Sequence, residues 1–492
     1  MTEQRPPIRY LARVILSTET PLSVTKGHAE GVFDTALATD ANGLPALPAT
    51  SVAGVLRHLY ERLYGSEARN QVFGWQERDS GSPSRLAISW GALLDSEGRP
   101  VEGLLLGPQR ECLDHDPVLQ AARHAVEHGV TRDRVRLTHK GTAADTGKFD
   151  RSVLPSGHRF AIELALQAHE PCDPTWEAVL ALLAHPGFRL GGATRSGLGA
   201  MRVQSIHAGR FDLREPEEAR RWCALGASLG DRDGLSARQL PQGAAAADWL
   251  QGALTLTAEG YWRIGQGDDS ALPASKRDAS PTPADLLPRT ESCIVWDDTR
   301  GGHCGLRTLL FPASSLKGAL AHRMAFHVNR LAGRWAEDGV DPAVPPAEVE
   351  ALFGTVKSAA GEGEPAGRAG CLYIDDAFVA IEPERIARLI HNSIDRFTGG
   401  VRDRLLFDEE AVYGGTIKLE IGLDATRLEK NAEEMGADAD HLWRGFAAAM
   451  ADLAEGRLAL GSRTTTGHGR FHGEIDGVLG DTLRARHQEA AA

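Results

Sequence analysis

Apolar and polar residues alternate along several short stretches of this chain, and elsewhere apolar residues recur with a period near 3.6. Residues 8–17 (I-R-Y-L-A-R-V-I-L-S) alternate as a half-buried strand does. The elements predicted next are a helix over about 52–64, strands at 86–90 and 160–166, a helix over about 174–185, a glycine loop and a strand at 200–204. Strand, helix, strands, helix, glycine loop and strand is a ferredoxin-like order.

The second part of the chain repeats this order. Its predicted elements are strands at 254–259, 371–374 and 417–421, a helix that starts near Ser315 and a helix over about 439–454. Short motifs repeat in the same order: P-A-T-S at 48–51 and P-A-S-S at 312–315, F-G at 73–74 and 353–354, D-R at 133–134 and 395–396, and L-G-G-A-T-R-S-G-L-G at 190–199 and L-G-S-R-T-T-T-G-H-G at 460–469. Ordered pairs at a nearly constant offset indicate a duplicated domain.

These patterns predict an α+β fold with two tandem ferredoxin-like domains. A chain of 492 residues is long enough for two such domains, each with its own core. We place the first domain at 1–210, an alanine-rich helical connector at 211–250, the second domain at 251–480 and a C-terminal tail at 481–492.

Composition narrows the possible functions. No apolar run approaches the ~20 residues of a membrane span, and the N-terminus lacks the apolar core of a secretory signal, so we expect a cytoplasmic protein without a membrane partner. The six cysteines are scattered without a C-x-x-C pair, which gives no support to a structural zinc site. The net charge of −13 argues against a generic basic coat for nucleic acid, although a local basic groove remains possible.

The two glycine loops are the first candidate binding motif. Glycines let a backbone approach a ligand closely and present bare N–H groups. Residues 188–202 and 457–470 each carry three arginines and no acid. Both loops follow a helix and precede a strand, unlike a dinucleotide-binding loop, and no G-K-[S/T] is present, so we expect no nucleotide or organic cofactor. The backbone of single-stranded nucleic acid fits better; the alternative is a tight turn that binds nothing.

The two P-A-[T/S]-S motifs are the second candidate. We expect Thr50 or Ser51 in the first domain and Ser315 in the second to cap a helix whose exposed N–H groups attract an anion. Arg57 and Lys317 add positive charge to these helices. A plain capped helix without a ligand is the alternative.

Together these motifs resemble the RAMP superfamily of CRISPR-associated proteins, and most closely the repeated backbone subunits of type III effector complexes. The second domain carries the hairpin motif I-D-R-F-T-G at 394–399, and the first domain carries a looser copy that begins T-R-D-R at 131–134. The resemblance implies a modified RNA-recognition fold in which a hairpin thumb from each domain interrupts the duplex of guide and target.

The resemblance also implies partners: CRISPR RNA, complementary target RNA, a large polymerase-like subunit, other RAMP subunits and a small subunit. Both thumbs, at 131–155 and 393–413, should project from the domain bodies. The residues that we assign to RNA binding are Lys26, His28, Ser51, Arg57, Arg134, Arg195, Gly197, Gly199, Ser315, Lys317, Arg396, Arg463, Gly467 and Gly469.

In cleaving members of the family, an aspartate of the first loop cuts target RNA with a divalent metal. Asp34 falls at this position in D-T-A-L-A-T-D, so the resemblance implies that Asp34 is catalytic and is a possible ligand of Mg or Mn. The second domain aligns a glutamate, Glu291, on a matching loop, with Asp297 and Asp298 as reserve acids. We therefore expect cleavage mainly at one site.

Two other functions stay open. The chain could be a scaffold that binds RNA without catalysis, in which case Asp34 is a solvated loop acid. It could also be a guide-processing endonuclease that uses His28 as a base. A chelator would stop a metal-dependent reaction and leave a histidine-dependent one intact.

Overall fold

The computed structural model describes residues 6–26, 35–241, 248–272, 283–355 and 367–491, and the statements below concern these residues. In the first half the elements are β1 (Ile8–Thr18), α1 (Ala49–Phe73), β2 (Trp75–Glu77), β3 (Ser80–Ser82), β4 (Leu86–Ile88), β5 (Ala92–Leu93), α2 (Cys112–His115), α3 (Pro117–His124), β6 (Arg134–Leu137), β7 (Ala143–Phe149), β8 (Arg159–Ala168), α4 (Pro174–Leu182), β9 (Met201–Asp212), α5 (Pro216–Cys223) and β10 (Ser236–Arg238).

One antiparallel sheet organises the first half, with its strands in the order β10-β9-β1-β8-β4 and β5 also paired with β8. Alternation in β1 sends every second side chain to the covered face of the sheet. Val14 of β1 and Phe160 of β8 pack there with Leu56 of α1 and Val179 of α4 in a single buried core.

The second half continues with β11 (Trp249–Ala258), β12 (Tyr261–Trp262), β13 (Thr290–Asp297), β14 (Gly301–Phe311), α6 (Ala313–Leu331), α7 (Ala347–Phe353), β15 (Leu372–Ile374), β16 (Ala377–Ala380), β17 (Ile386–His391), β18 (Phe407–Tyr413), β19 (Thr416–Asp424), α8 (Ala425–Met435), α9 (Ala439–Ala454), β20 (Phe471–Ile475) and α10 (Gly477–Ala491). The prediction of an α+β protein is confirmed.

The central sheet of the second half is antiparallel with the order β15-β19-β11-β20. Leu256 of β11 and Ile421 of β19 are buried against Leu316 of α6 and Phe446 of α9. Two further antiparallel sheets, β12-β18-β17 and β13-β14-β16, stand beside it. The β13-β14-β16 sheet contacts the first half, for example where Nε1 of Trp296 donates to the carbonyl oxygen of Gly157 at 2.8 Å.

Strongly periodic segments lie where the sequence predicts them. The strand predicted at 8–17 is β1, and the helix predicted over 439–454 is α9. The helix predicted to end near residue 64 continues to Phe73, but Gly65 has φ 85° and ψ 169°, which interrupts the helical backbone. The predicted end therefore coincides with a break that glycine permits.

The predicted hydroxyl caps are wrong. Helices α1 and α6 begin two or three residues earlier than expected, after Pro48 and Pro312, and neither helix has a side-chain cap from its N-cap residue. Proline holds φ near −65° and favours the start of a helix, so Ser51 and Ser315 fall within the first turn. In α6 the N–H of Ala313 donates to Oδ1 of Asp376 at 2.9 Å, so an internal carboxylate occupies the expected anion site.

The segment between the halves is not simply a helical connector. The boundaries placed after 210 and after 250 fall inside β9 and β11, and the one after 480 falls inside α10. Between them, α5 is followed by β10, which pairs with β9 and extends the first sheet. Residues 242–247 lie outside the described residues.

The loop expected at 291–297 is also wrong, because this segment is strand β13. It pairs with β14 through Glu291 opposite Thr308 and Asp297 opposite Gly301. The alternation around Ile294 favours a strand, and its neighbour Cys293 lies 3.0 Å from Ser156 Oγ in the first half. The second half thus reaches back onto the first through this strand.

Candidate nucleic-acid interface

The glycine loop at 190–199, here the first loop, docks onto the second half of the chain. Gly197 forms a parallel bridge with Asp375, which directly follows β15. Arg195 Nε donates to the carbonyl oxygen of Gly370 at 2.6 Å, and Arg189 Nη2 lies 3.0 Å from Asp375 Oδ2. We call this contact the junction between the halves.

A buried ion cluster lies beside the junction. Arg132, at the base of the first hairpin, forms an ion pair with Glu291 of β13 and donates from Nε to Asp376 Oδ2 at 3.4 Å. Burial raises the pKa of Asp376 to about 6, although Arg132 and the N–H of Ala313 act in the opposite direction. Glu291 is therefore committed to an arginine inside the protein and is withheld from a substrate in this arrangement.

Lys317 belongs to the same junction. Its Nζ donates to the carbonyl oxygens of Arg195 at 3.0 Å and of Leu372 at 2.8 Å. Burial and then the charge of Arg195 lower the pKa of Lys317 to about 7. The lysine that was assigned to RNA thus ties the first loop to the sheet of the second half.

The second loop, residues 460–469, is held against the ribbon of β17 and β18. Arg463 Nε lies 3.2 Å from Glu409 Oε1, and His468 Nδ1 lies 3.9 Å from the same oxygen. Glu409 is fully buried, and its carboxylate also accepts from His391 at 2.8 Å and from Arg263 at 3.1 Å. This buried carboxylate sets the direction of Arg463, whose side chain stays 25% exposed.

The four predicted loop glycines differ in their surroundings. A Cβ at Gly199 would meet the carbonyl oxygen of Leu190, and one at Gly469 would meet that of Leu460, so these two glycines close their own loops. A Cβ at Gly197 would meet the carboxylate of Asp376. Gly467, at φ 93°, faces open space, which leaves its backbone accessible to a ligand.

Most of the arginines around the two loops are paired with acids. The pairs are Arg189 with Asp375, Arg202 with Glu19, Arg457 with Asp452, Arg463 with Glu409 and Arg470 with Glu259. Arg195 differs, since no acid of the described residues lies within ion-pair distance of it. The basic charge of these segments is therefore largely paired within the chain, inside the fold for Arg189 and on the surface for Arg202 and Arg470.

The first hairpin consists of β6 and β7, which pair with each other. Arg134 at its base donates from Nη2 to the carbonyl oxygen of Ser196 at 2.9 Å, which joins the hairpin to the first loop. Val135, Leu137 and Phe149 of this hairpin are exposed. Each half thus places a glycine loop against a hairpin that has exposed side chains.

The second hairpin is the β17–β18 ribbon, whose tip covers 392–406. Asp395 accepts from the backbone N–H groups of Phe397 and Thr398 at 3.0 and 2.9 Å, which shapes the turn. Arg396 is exposed, and the adjacent Phe397 is 91% exposed. The tip presents apolar and basic groups to solvent.

Other predicted site residues are scattered or lie outside the described residues. Arg57 and Lys26 are exposed, and Ser51 is half-buried on α1. Asp297 Oδ1 accepts from Thr299 and Arg300 and caps the β13–β14 turn, with the exposed Asp298 beside it. Asp34 and His28 lie outside the described residues, so their positions stay predictions.

Sequence reasoning missed the buried charges that organise both loops. Glu409 and Arg132 are distant from their partners along the chain, and a single sequence carries no signal for such pairs. The strand pattern of 407–413 could have placed Glu409 beside the second loop only if the hairpin register had been known.

The chain belongs to the RAMP superfamily. The family model matches residues 15–202 and 305–472, more than half of the chain, so the prediction of a RAMP protein with two RAMP regions is confirmed. No curated protein matches the chain significantly. A chain in the cryo-EM structure of the type III-B Cmr-beta bound to cognate target RNA is similar at 12% identity over 41% of this chain and 60% of that one, with a TM-score of 0.27.

Within the described part of the chain, no helix is both long and apolar enough to span a bilayer.

Proposed function

We propose that this chain is a guide-RNA-binding backbone subunit of a type III CRISPR effector complex. The observation that carries the proposal is the pair of RAMP regions, each with a glycine loop held against a hairpin that has exposed side chains. The partners would be CRISPR RNA, complementary target RNA, the large polymerase-like subunit, other RAMP subunits and the small subunit.

Each half would be a ferredoxin-like RAMP domain with a hairpin thumb. Support comes from the strand orders β9-β1-β8-β4 and β20-β11-β19-β15. If these four strands of each half are counted in chain order, the first strand lies between the fourth and the third in both sheets. The hairpins at 131–155 and 393–413 would be the thumbs that divide the duplex of guide and target. The proposed domains are 1–210 and 251–480, with 211–250 between them and 481–492 as the tail.

The RNA surface would use the groups that the junction does not occupy. Arg463 is partly exposed, Gly467 presents open backbone, and Arg396 and Arg57 are exposed on the second hairpin and on α1. Point charges and backbone N–H groups hold phosphates and carry no base information. We therefore expect guide binding with little sequence preference and a steep dependence on salt.

The test compares Arg463→Ala with Arg220→Ala in a fluorescence titration of guide RNA at several salt concentrations. Arg220 is a matched control because its side chain is 74% exposed on α5, away from both loops. Arg463→Ala should weaken binding evenly across guide sequences and lower the salt slope by about 1, while Arg220→Ala leaves the slope unchanged. Equal slopes for both variants would remove the second loop from the RNA surface.

Cleavage of target RNA at Asp34 is the second part of the proposal. Its support is the sequence resemblance, because Asp34 lies outside the described residues. Among the described residues, no group of three His, Cys, Asp or Glu side chains is placed to hold a metal ion, and Glu291 is paired with Arg132. The described residues therefore do not fit the implied Mg or Mn, and we derive no step through a metal.

The cleavage assay maps target-RNA products of the assembled complex with magnesium and with a chelator. Asp34→Ala should abolish the cut and leave guide binding nearly intact, while Asp79→Ala, an exposed acid of the β2–β3 turn, should cut like the wild type. Unchanged cleavage in Asp34→Ala would favour the scaffold function. Cleavage that resists chelator and disappears in His28→Ala would favour the histidine-dependent nuclease.

A further inference from the structure

A cavity of about 210 Å³ opens at the junction, where α1 and the first loop of one half meet β15 and α8 of the other. Its volume is large enough for a small polar ligand together with water. Both halves supply side chains that matter for its chemistry: His58, Arg62, Arg189 and Arg195 from the first half, and Tyr373 and Arg427 from the second.

The cavity is lined by four arginines and no acidic side chain of the described residues, in a chain whose net charge is −13. Three of these arginines have an acid partner outside the cavity lining. Arg62 donates to Asp424 and Asp248 at 2.5 Å each, Arg189 pairs with Asp375, and Arg427 Nε lies 3.4 Å from Asp424 Oδ2. The surface that faces the cavity therefore has a single sign of charge, which concentrates anions.

Arg195 keeps donors for a ligand. Its Nε donates to the carbonyl oxygen of Gly370, and its guanidinium carbon lies 5.0 Å from the centre of the Tyr373 ring. Neither Nη group of Arg195 has a hydrogen-bond partner among the described residues. The backbone bond and the ring hold the guanidinium plane in place, so that ordering it for an anion costs little entropy.

His58 is a second donor. Arg427 Nη2 lies 2.9 Å from His58 Nε2, and since a guanidinium only donates, Nε2 must be the acceptor. The proton of the neutral ring is then on Nδ1, which is available to donate. Burial, followed by the charge of Arg427, lowers the pKa of His58 and keeps the ring neutral at physiological pH.

We propose that this cavity binds one phosphate group through Arg195, Arg427 and His58. Guanidinium groups match phosphate oxygens with paired, charge-assisted hydrogen bonds, which suits the four-arginine lining. The phosphate would belong either to a free nucleotide or to an RNA chain. Only the RNA alternative rests on the proposed function, and the RNA surface proposed above does not include these three side chains.

The test measures binding to the full chain by calorimetry, with AMP, adenosine and an oligoribonucleotide as probes. AMP or the RNA should bind, and adenosine should not, because only the phosphate fits the arginines. His58→Ala and Arg195→Gln should each weaken phosphate binding about tenfold or more, the loss expected for a charge-assisted bond. Lys430→Ala is the matched control, since Lys430 lies one turn from Arg427 on α8 with its side chain 72% exposed.

Each outcome of this experiment either supports or overturns the phosphate site. AMP binding that depends on His58 and Arg195 establishes a site for free nucleotides, and RNA binding with the same dependence but no AMP binding establishes a site for the RNA chain. Binding of neither probe, or equal losses in Lys430→Ala, overturns the proposal. Because Arg195→Gln can loosen the junction, the exposed His58 serves as the second variant, and melting without ligand checks the fold of each.

A failure of the proposed guide binding can be distinguished from a failure of the cavity site. Arg463 does not line this cavity, so Arg463→Ala should leave AMP binding unchanged. If AMP binds through His58 while Arg463→Ala has no effect on guide RNA, the cavity stands and the proposed RNA surface falls. The reverse result retains the RNA surface and removes the cavity site.

Discussion

Replacing Arg132 with methionine should destabilise the chain more than any surface charge substitution. The Arg132 side chain is 6% exposed and lies between Glu291, 4% exposed, and Asp376, 3% exposed. Methionine keeps much of the volume but removes the charge, so two buried carboxylates face each other without a cation. Breaking a buried ion pair in this way costs about 3–5 kcal/mol, a large part of the stability of an ordinary domain.

The assay is urea denaturation followed by tryptophan fluorescence. Arg99→Met is the control, because Arg99 is 67% exposed and its pair with Asp95 should contribute no more than about 1 kcal/mol. Loss of the cluster should also loosen the junction, so the unfolding of the variant is expected to separate into two transitions.

A rescue variant distinguishes the effect of losing the Arg132 charge from the effect of changing the packing. In Arg132→Met with Glu291→Met and Asp376→Asn, no charge remains on these three side chains, and apolar replacement of a buried ionic cluster is often neutral or stabilising. Most of the lost stability should return. The reasoning is refuted if Arg132→Met costs less than about 1 kcal/mol, or if the triple variant is no more stable than the single one.

Three further outcomes follow from the same contacts. Because burial raises the pKa of Asp376 from 3.8 to about 6, the folded state binds the extra proton, so stability should fall as pH rises through this range, and urea melts of Asp376→Asn should lose that slope. Gly469→Ala should lower the melting temperature more than Gly467→Ala, since a Cβ at Gly469 meets the Leu460 carbonyl and one at Gly467 meets open space. Glu409→Gln should weaken guide binding in the fluorescence titration, because the fully buried Glu409 carboxylate orients Arg463 and its loss leaves that side chain without a fixed direction. Unchanged affinity would contradict this prediction.

The secondary structure within each half could be predicted because it follows from local patterns. Alternation defines β1, and a 3.6-residue period defines α9, so these elements need no knowledge of the rest of the chain. The ordered repetition of short motifs then predicted that the domain is duplicated. The helix starts were misplaced by two or three residues because proline, at 48 and 312, takes the cap position that was assigned to a hydroxyl residue.

The candidate site was predicted less well, because its charged residues act across long sequence separations. The sequence predicts that Lys317 contacts phosphate from an exposed helix. In the structure it donates to carbonyl groups of residues 122 and 55 positions away in the sequence. Glu291 reads as a loop acid, yet β13 buries it against Arg132. Polar residues that are buried in pairs look the same in one sequence as polar residues on the surface.

The duplicated fold carries an unduplicated junction. Asp375 and Asp376 follow β15, and the corresponding residues after β4 are Ser89 and Trp90, of which Trp90 is 57% exposed. Thr465 stands in the second loop where the first loop has Arg195. The region after β4 in the first half and the second loop in the second half therefore lack the charged residues that join the two halves. A second copy cannot dock through the same contacts, so any partner at either end must supply different ones.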